Sequence, residues 1–88
     1  LPGEYLMRFV LNEEVAARQA LQAAFDLTDR ETQVLFWLSR GKTNQEIAQI
    51  LEMSPRTVNK HLEPVFRKLG VENRTAAVAT ALAISGQQ

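Results

Sequence analysis

Three helix-start signals in quick succession constrain this chain more than any other feature. Thr28 and Glu31 form a T-x-x-E capping box, in which each side chain can bond the other residue's backbone N–H. Thr43 and Glu46 repeat the pattern. Ser54 followed by Pro55 marks a third start, because Ser accepts from an N–H of the first turn and Pro lacks the N–H that would go unpaired there. Gly41 and Gly70 can adopt the left-handed conformation that stops a helix. This punctuation predicts helices over residues 29–40, 44–51 and 55–69, with Glu52, Met53 and Ser54 as the turn between the last two.

Apolar spacing assigns each helix an inner face. Val34, Leu35, Trp37 and Leu38 face inward in the first and Ile47, Ala48 and Leu51 in the second, while Phe36 falls on the other side, either simply exposed or as the place where the preceding helix docks. The third buries Val58, Leu62, Val65, Phe66 and Leu69, leaving Arg56, Asn59, Lys60, Glu63 and Arg67 outside. Pro64 removes the bond to the Lys60 carbonyl, at about 3 kcal/mol unless the helix kinks, so a bend is expected over residues 60–64. Asn73 caps a last helix, residues 74–84, that is apolar nearly all the way round.

The first residues read differently. Tyr5 to Leu11, YLMRFVL, is a short apolar run after Gly3 that suits a strand, and Asn12 caps a lead-in helix over residues 12–25. Glu13 and Glu14 sit in its first turn, and Ala17, Ala20, Leu21, Ala24 and Phe25 form one stripe. The expected architecture is all-α: a compact four-helix bundle containing a helix-turn-helix, with an N-terminal strand-like segment and lead-in helix. Residues 1–26 read as a linker and 27–88 as the domain, its helix-turn-helix core spanning 43–69. The first residue is Leu rather than Met, which suggests a fragment whose upstream portion holds a sensory or receiver domain.

With 88 residues, the chain leaves little room for a walled active-site cleft. It has no Cys, and His61 is the single His, so a thiolate metal site or an imidazole-based catalytic pair has no support. There is no phosphate loop or nucleophile–base pair, and neither an enzyme nor a cofactor is expected. No run approaches the roughly 20 apolar residues of a membrane span. A cytoplasmic setting without membrane contact is the expectation.

The formal net charge is zero, but the signs are segregated. Up to Gln33, Glu4, Glu13, Glu14, Asp26, Asp29 and Glu31 outnumber Arg8, Arg18 and Arg30. From Val34 onward, Arg40, Lys42, Arg56, Lys60, Arg67, Lys68 and Arg74 outnumber Glu46, Glu52, Glu63 and Glu72. An anion-binding surface therefore belongs to the second part.

Two short helices joined by a three-residue turn, the second longer and polar outside, is the plan of a helix-turn-helix. The second helix of such a pair can lie in the major groove, where side chains near its start meet base edges. Arg56, Thr57, Asn59 and Lys60 suit that task, Asn pairing with adenine and Arg or Lys with guanine. Free N–H groups at the helix starts at Asn44 and Pro55 can add phosphate contacts.

The stretch over residues 27–78 resembles the LuxR-type (GerE-type) output domain of bacterial transcription regulators. The matching words are L-T-x-R-E, G-K-T-N-x-E-I-A, L-x-M-S-x-R-T-V-x-K-H-L and K-L-G-V-x-N-R-x-x-A. The resemblance implies sequence-specific double-stranded DNA binding, with Asn59, Lys60 and Glu63 facing bases and Thr43, Asn44, Gln45, Arg56 and Thr57 at phosphate-facing places; by its chemistry Arg56 is also a base-facing candidate. Glu63 can accept from a cytosine amino group but repels phosphate. The resemblance also implies a homodimer on a two-fold site through the last helix, with Ala77, Thr80, Ala81 and Ile84 as interface candidates, and a pairing of Glu31 with Arg74. The alternative is a helix-turn-helix used mainly for protein–protein interaction through Phe36, the lead-in helix and the Ala-rich helix.

Overall fold

A computed structural model describes the backbone of residues 3–85 and the side chains of residues 13–85. Five α-helices follow one another: α1 (Gly3–Phe25), α2 (Asp29–Ser39), α3 (Asn44–Leu51), α4 (Pro55–Leu69) and α5 (Arg74–Ser85). Among the described residues there is no strand.

The start signals work as the sequence predicts. Thr28 Oγ1 accepts from the Glu31 N–H at 3.2 Å while the Thr28 N–H donates to Glu31 Oε1 at 3.0 Å. The second box has the same reciprocal bonds, at 3.1 and 2.9 Å. Ser54 Oγ accepts from the Thr57 N–H at 3.1 Å, and Asn73 Oδ1 from the Ala76 N–H at 2.9 Å. The ends share a device as well. Asp26, Glu52 and Gly70 adopt left-handed φ of 55°, 57° and 73°. After each, an apolar residue donates its N–H five residues back: Leu27 to Gln22, Met53 to Ala48 and Val71 to Phe66. These three side chains lie in or against the core, so each helix end is closed by a hydrogen bond and a hydrophobic contact together.

Helix α2 is the centre of the packing and touches all four others. One core runs from Ala17 and Leu21 of α1 through Val34, Leu35, Phe36 and Leu38 of α2, Ile47 of α3, and Val58, Leu62 and Val65 of α4, to Ala77 and Ala81 of α5. It crosses the expected boundary at residues 26/27, so α1 packs as part of the same unit.

The expected strand over residues 5–11 and the cap at Asn12 are corrected: the helix that contains them starts at Gly3. An unpaired strand would leave its backbone N–H and C=O groups without partners, whereas a helix satisfies them within itself. In sequence, Leu6 and Val10 lie four apart, and Val10 lies seven before Ala17, which is helical register. The unit is thus five helices packed on one core rather than a four-helix bundle with a strand appended.

Of the two readings of Phe36, exposed or docked on by the preceding helix, the structure has the second: Phe36 is 1 % exposed. Its ring is met by two guanidinium groups, Arg18 of α1 at 5.1 Å and Arg40 at 4.8 Å, and edge-on by Trp37 at 5.0 Å. The face of α2 that looked outward is where α1 docks, and Trp37 is only partly buried.

Glu31 pairs with Lys68 at 2.8 Å, not with Arg74, and Lys68 also donates to the Asp26 carbonyl at 3.1 Å. The end of α4 is thereby tied to the α1–α2 turn. Burial pushes the Glu31 carboxyl up, but the Lys68 ammonium and the Thr28 N–H outweigh it and hold the group below its ordinary value.

Candidate nucleic-acid interface

Helix α4 has two faces of opposite character. Val58, Leu62 and Val65 are buried, fixing the rotation of the helix on the core. That rotation exposes Arg56, Asn59, Lys60, Glu63 and Arg67, which recur at three- and four-residue steps along one side. No hydrogen bond or ion pair among the described residues engages any of these five side chains. Three cations and one carboxylate thus stand in water without an internal partner, where an external one can reach them. Helix α4 continues through Pro64 to Leu69 as one helix, so the lost bond does not end it.

The helix start at Ser54 also orders Thr57. Its hydroxyl lies 3.0 Å from Ser54 Oγ, so Thr57 belongs to the cap as well as to the outer surface. With the Thr57 N–H capped and none on Pro55, the Arg56 N–H is the donor left in this first turn.

Helix α3 presents a second start alongside. The reciprocal cap uses the N–H groups of Thr43 and Glu46 and leaves those of Asn44 and Gln45 for an anion. Chiefly through the Thr43 N–H, and against an opposing effect of desolvation, the Glu46 carboxyl is held below its ordinary value. Gln45 is exposed and Thr43 is exposed, whereas Asn44 is half-buried. The Asn44 carbonyl oxygen accepts from Arg74 Nη1 at 2.7 Å, and Arg74 Nη2 donates to the Lys42 carbonyl at 2.8 Å.

The final-helix candidates separate. Ala77 and Ala81 are 0 % exposed and belong to the core, where a second copy cannot reach them. Thr80 is half-buried and Ile84 is exposed. Helix α5 also borders a groove of about 510 Å³ beside the end of α2, lined by Leu38, Val78, Ala79 and Leu82 with Lys42 and Arg74.

Sequence reasoning missed the two long-range anchors, Lys68 to Glu31 and Arg74 to Asn44 and Lys42, which set how α4 and α5 sit against α2 and α3. Among the residues described, none cluster as a metal site, and no helix is long and apolar enough to cross a membrane.

Residues 26–81 match the family of bacterial regulatory proteins described as the luxR family, GerE. The chain belongs to the LuxR family. The match takes in all of α2, α3 and α4 and most of α5, and stops one residue short of α1. Similar relatives include the transcriptional activator protein AhyR of Aeromonas hydrophila, 60% identical over 53 residues, which are 60% of this chain and 20% of that protein. The transcriptional activator protein SolR of Ralstonia nicotianae is 52% identical over 58 residues, 66% of this chain and 25% of that protein. The quorum sensing-dependent transcriptional regulator RpaR of Rhodopseudomonas palustris is 52% identical over 58 residues, 66% of this chain and 24% of that protein. This LuxR-family chain therefore spans a quarter or less of the length of these three relatives. It is a LuxR-type helix-turn-helix domain, a DNA-binding class of transcription regulators and not an enzyme class.

Proposed function

We propose that this LuxR-family domain binds duplex DNA sequence-specifically by laying α4 in the major groove. The observation that carries the reading is the unpaired polar side of α4, held outward by the burial of Val58, Leu62 and Val65. Arg56, Asn59 and Lys60, in the first two turns, meet base edges; Glu63, one turn on, faces a cytosine amino group. Thr43, Asn44, Gln45 and Thr57, together with the free N–H groups at the start of α3, meet the flanking phosphates.

Two copies act on a two-fold site. The exposed stripe of α4 carries Arg56, Lys60 and Arg67 against Glu63, too few charges for tight binding by one copy in physiological salt. The groove between α2 and α5, lined by Val78, Ala79 and Leu82, is the apolar surface a second copy covers. The remainder of the full-length protein receives a signal and relays it through α1, which shares the core of the DNA-binding unit, and the whole acts in the cytoplasm as a transcription regulator.

Selection of this chain on random duplexes, followed by binding to the enriched sequence across a salt series, tests the reading. The expected result is a recurrent motif with two-fold symmetry and an affinity that falls with a log–log slope of about −0.9 per phosphate neutralised. Failure to enrich any sequence, with equal binding to heparin and random duplex at low salt, would overturn it.

A further inference from the structure

We infer that Arg74 is a positioning residue for the DNA interface: its guanidinium fixes which end of the Asn44 side-chain amide faces outward. The inference rests on the DNA-binding reading above and assigns a part to a residue on α5, outside the helix-turn-helix itself.

A guanidinium can only donate. The Asn44 atom 2.7 Å from Arg74 Nη1 must therefore be the carbonyl oxygen, and the NH₂ end is turned away from Arg74. Asn44 Nδ2 has no partner among the described residues, and it is not among their buried unpartnered polar atoms. On a half-buried residue this leaves the NH₂ facing solvent, at the first position of α3, beside the free N–H groups of Asn44 and Gln45. Without Arg74 the amide could rotate by half a turn, and the oxygen would then point where a phosphate oxygen would sit. Arg74 is itself held by its second bond, to the Lys42 carbonyl in the loop before Thr43, so it braces the loop and orients the amide together. Both of its terminal nitrogens are turned to these two acceptors, and it acts through Asn44.

The test is a double-mutant cycle with Arg74→Met and Asn44→Ala, using the 88-residue chain and a random-sequence duplex at low salt, with binding read by fluorescence anisotropy. Asn44→Ala is expected to weaken duplex binding about 5-fold, the scale of one hydrogen bond. Arg74→Met should weaken it to a similar degree, the double variant should bind no worse than Asn44→Ala alone, and the salt slope should stay unchanged. If Arg74 contacts phosphate directly, Arg74→Met will weaken binding equally in the Asn44→Ala background and reduce the slope by about 0.9, and the inference fails.

Because Arg74→Met can loosen the fold, the unmutated chain supplies a second measurement. The side-chain NH₂ resonances of Asn44 should shift on titration with duplex, and unmoved resonances under saturating DNA would overturn the inference. Absence of any duplex binding by the unmutated chain would instead overturn the DNA-binding reading.

Discussion

Phe36→Leu is the sharpest test of how α1 belongs to this domain. Phe36 is 1 % exposed, with Arg18 and Arg40 over its ring. Each guanidinium–ring contact is worth about 0.5–1 kcal/mol, so replacing the ring with a branched aliphatic chain that keeps most of the apolar volume should cost about 1–2 kcal/mol. Truncation to Ala would add the cavity and cost about 3–5 kcal/mol. Against a total stability of roughly 0.05–0.15 kcal/mol per residue, the Ala variant would keep little margin at the low end of that range, so Leu is the safer change to measure. In urea, at a slope of about 1 kcal/mol per M, Phe36→Leu should lower the midpoint by about 1–2 M, followed by circular dichroism. Arg18→Met should cost about 0.5–1 kcal/mol alone and much less in the Phe36→Leu background, because the contact is already gone. If Phe36 instead stood on a wet face of α2, its substitution would stay within about 0.5 kcal/mol and Arg18→Met would be additive. That outcome would refute the docking of α1 over Phe36.

The other predictions concern the DNA surface, a helix end and the Glu31–Lys68 ion pair. Lys60→Ala, at an exposed and unpaired site, should weaken duplex binding while leaving Tm within about a degree; a loss of Tm matching the loss of affinity would show Lys60 to be structural. Gly70→Ala should cost about 1 kcal/mol, since φ is 73° there and no neighbour lies within 4 Å of an added Cβ, and thermal melts showing no loss would sink this account of the α4 stop. For Glu31, the folded carboxyl lies below its unfolded value, so its stabilisation is complete above about pH 4.5 and lost as pH falls through the folded value. Glu31→Gln should lower the neutral-pH Tm and flatten the acid limb of Tm against pH; an acid limb as steep as that of the unmutated chain would place the proton uptake elsewhere.

What the sequence revealed was local. The caps at Thr28, Thr43, Ser54 and Asn73 are read from residues three apart, and their bonds form whatever the helices later pack against. The run YLMRFVL misled because a short run that is apolar except at Arg8 satisfies a strand and a buried helix equally, and the answer lay in the helical stretch continuing behind it. Phe36 stayed open between two readings for a different reason. A helical-wheel reading assumes one wet face, but α2 touches all four other helices, so both of its sides are inside. In α5 the wheel has little contrast to offer: Ala77 and Ala81 look no different in sequence from Ala79 and Ala83, and packing against α1 and α2 decides which are buried.

The long-range polar contacts lie beyond any local signal, and they decide how the site is held. Glu31 and Lys68 are 37 residues apart, and Arg74 and Asn44 are 30 apart. Whether Glu31 meets Lys68 or Arg74 depends on how α4 and α5 pack against α2, which no residue near Glu31 in sequence reports. The chain places Lys68 at the α1–α2 turn and releases Arg74 to the start of α3. The consequence is a division of labour among the second part's cations: Lys68 and Arg74 are spent within the fold, while Arg56, Lys60 and Arg67 on α4 are left without internal partners. A neutral chain can thus still present a basic stripe, because Glu31 and Glu46 are engaged at helix caps and a single acid, Glu63, stands among Arg56, Lys60 and Arg67 on the outer face of α4.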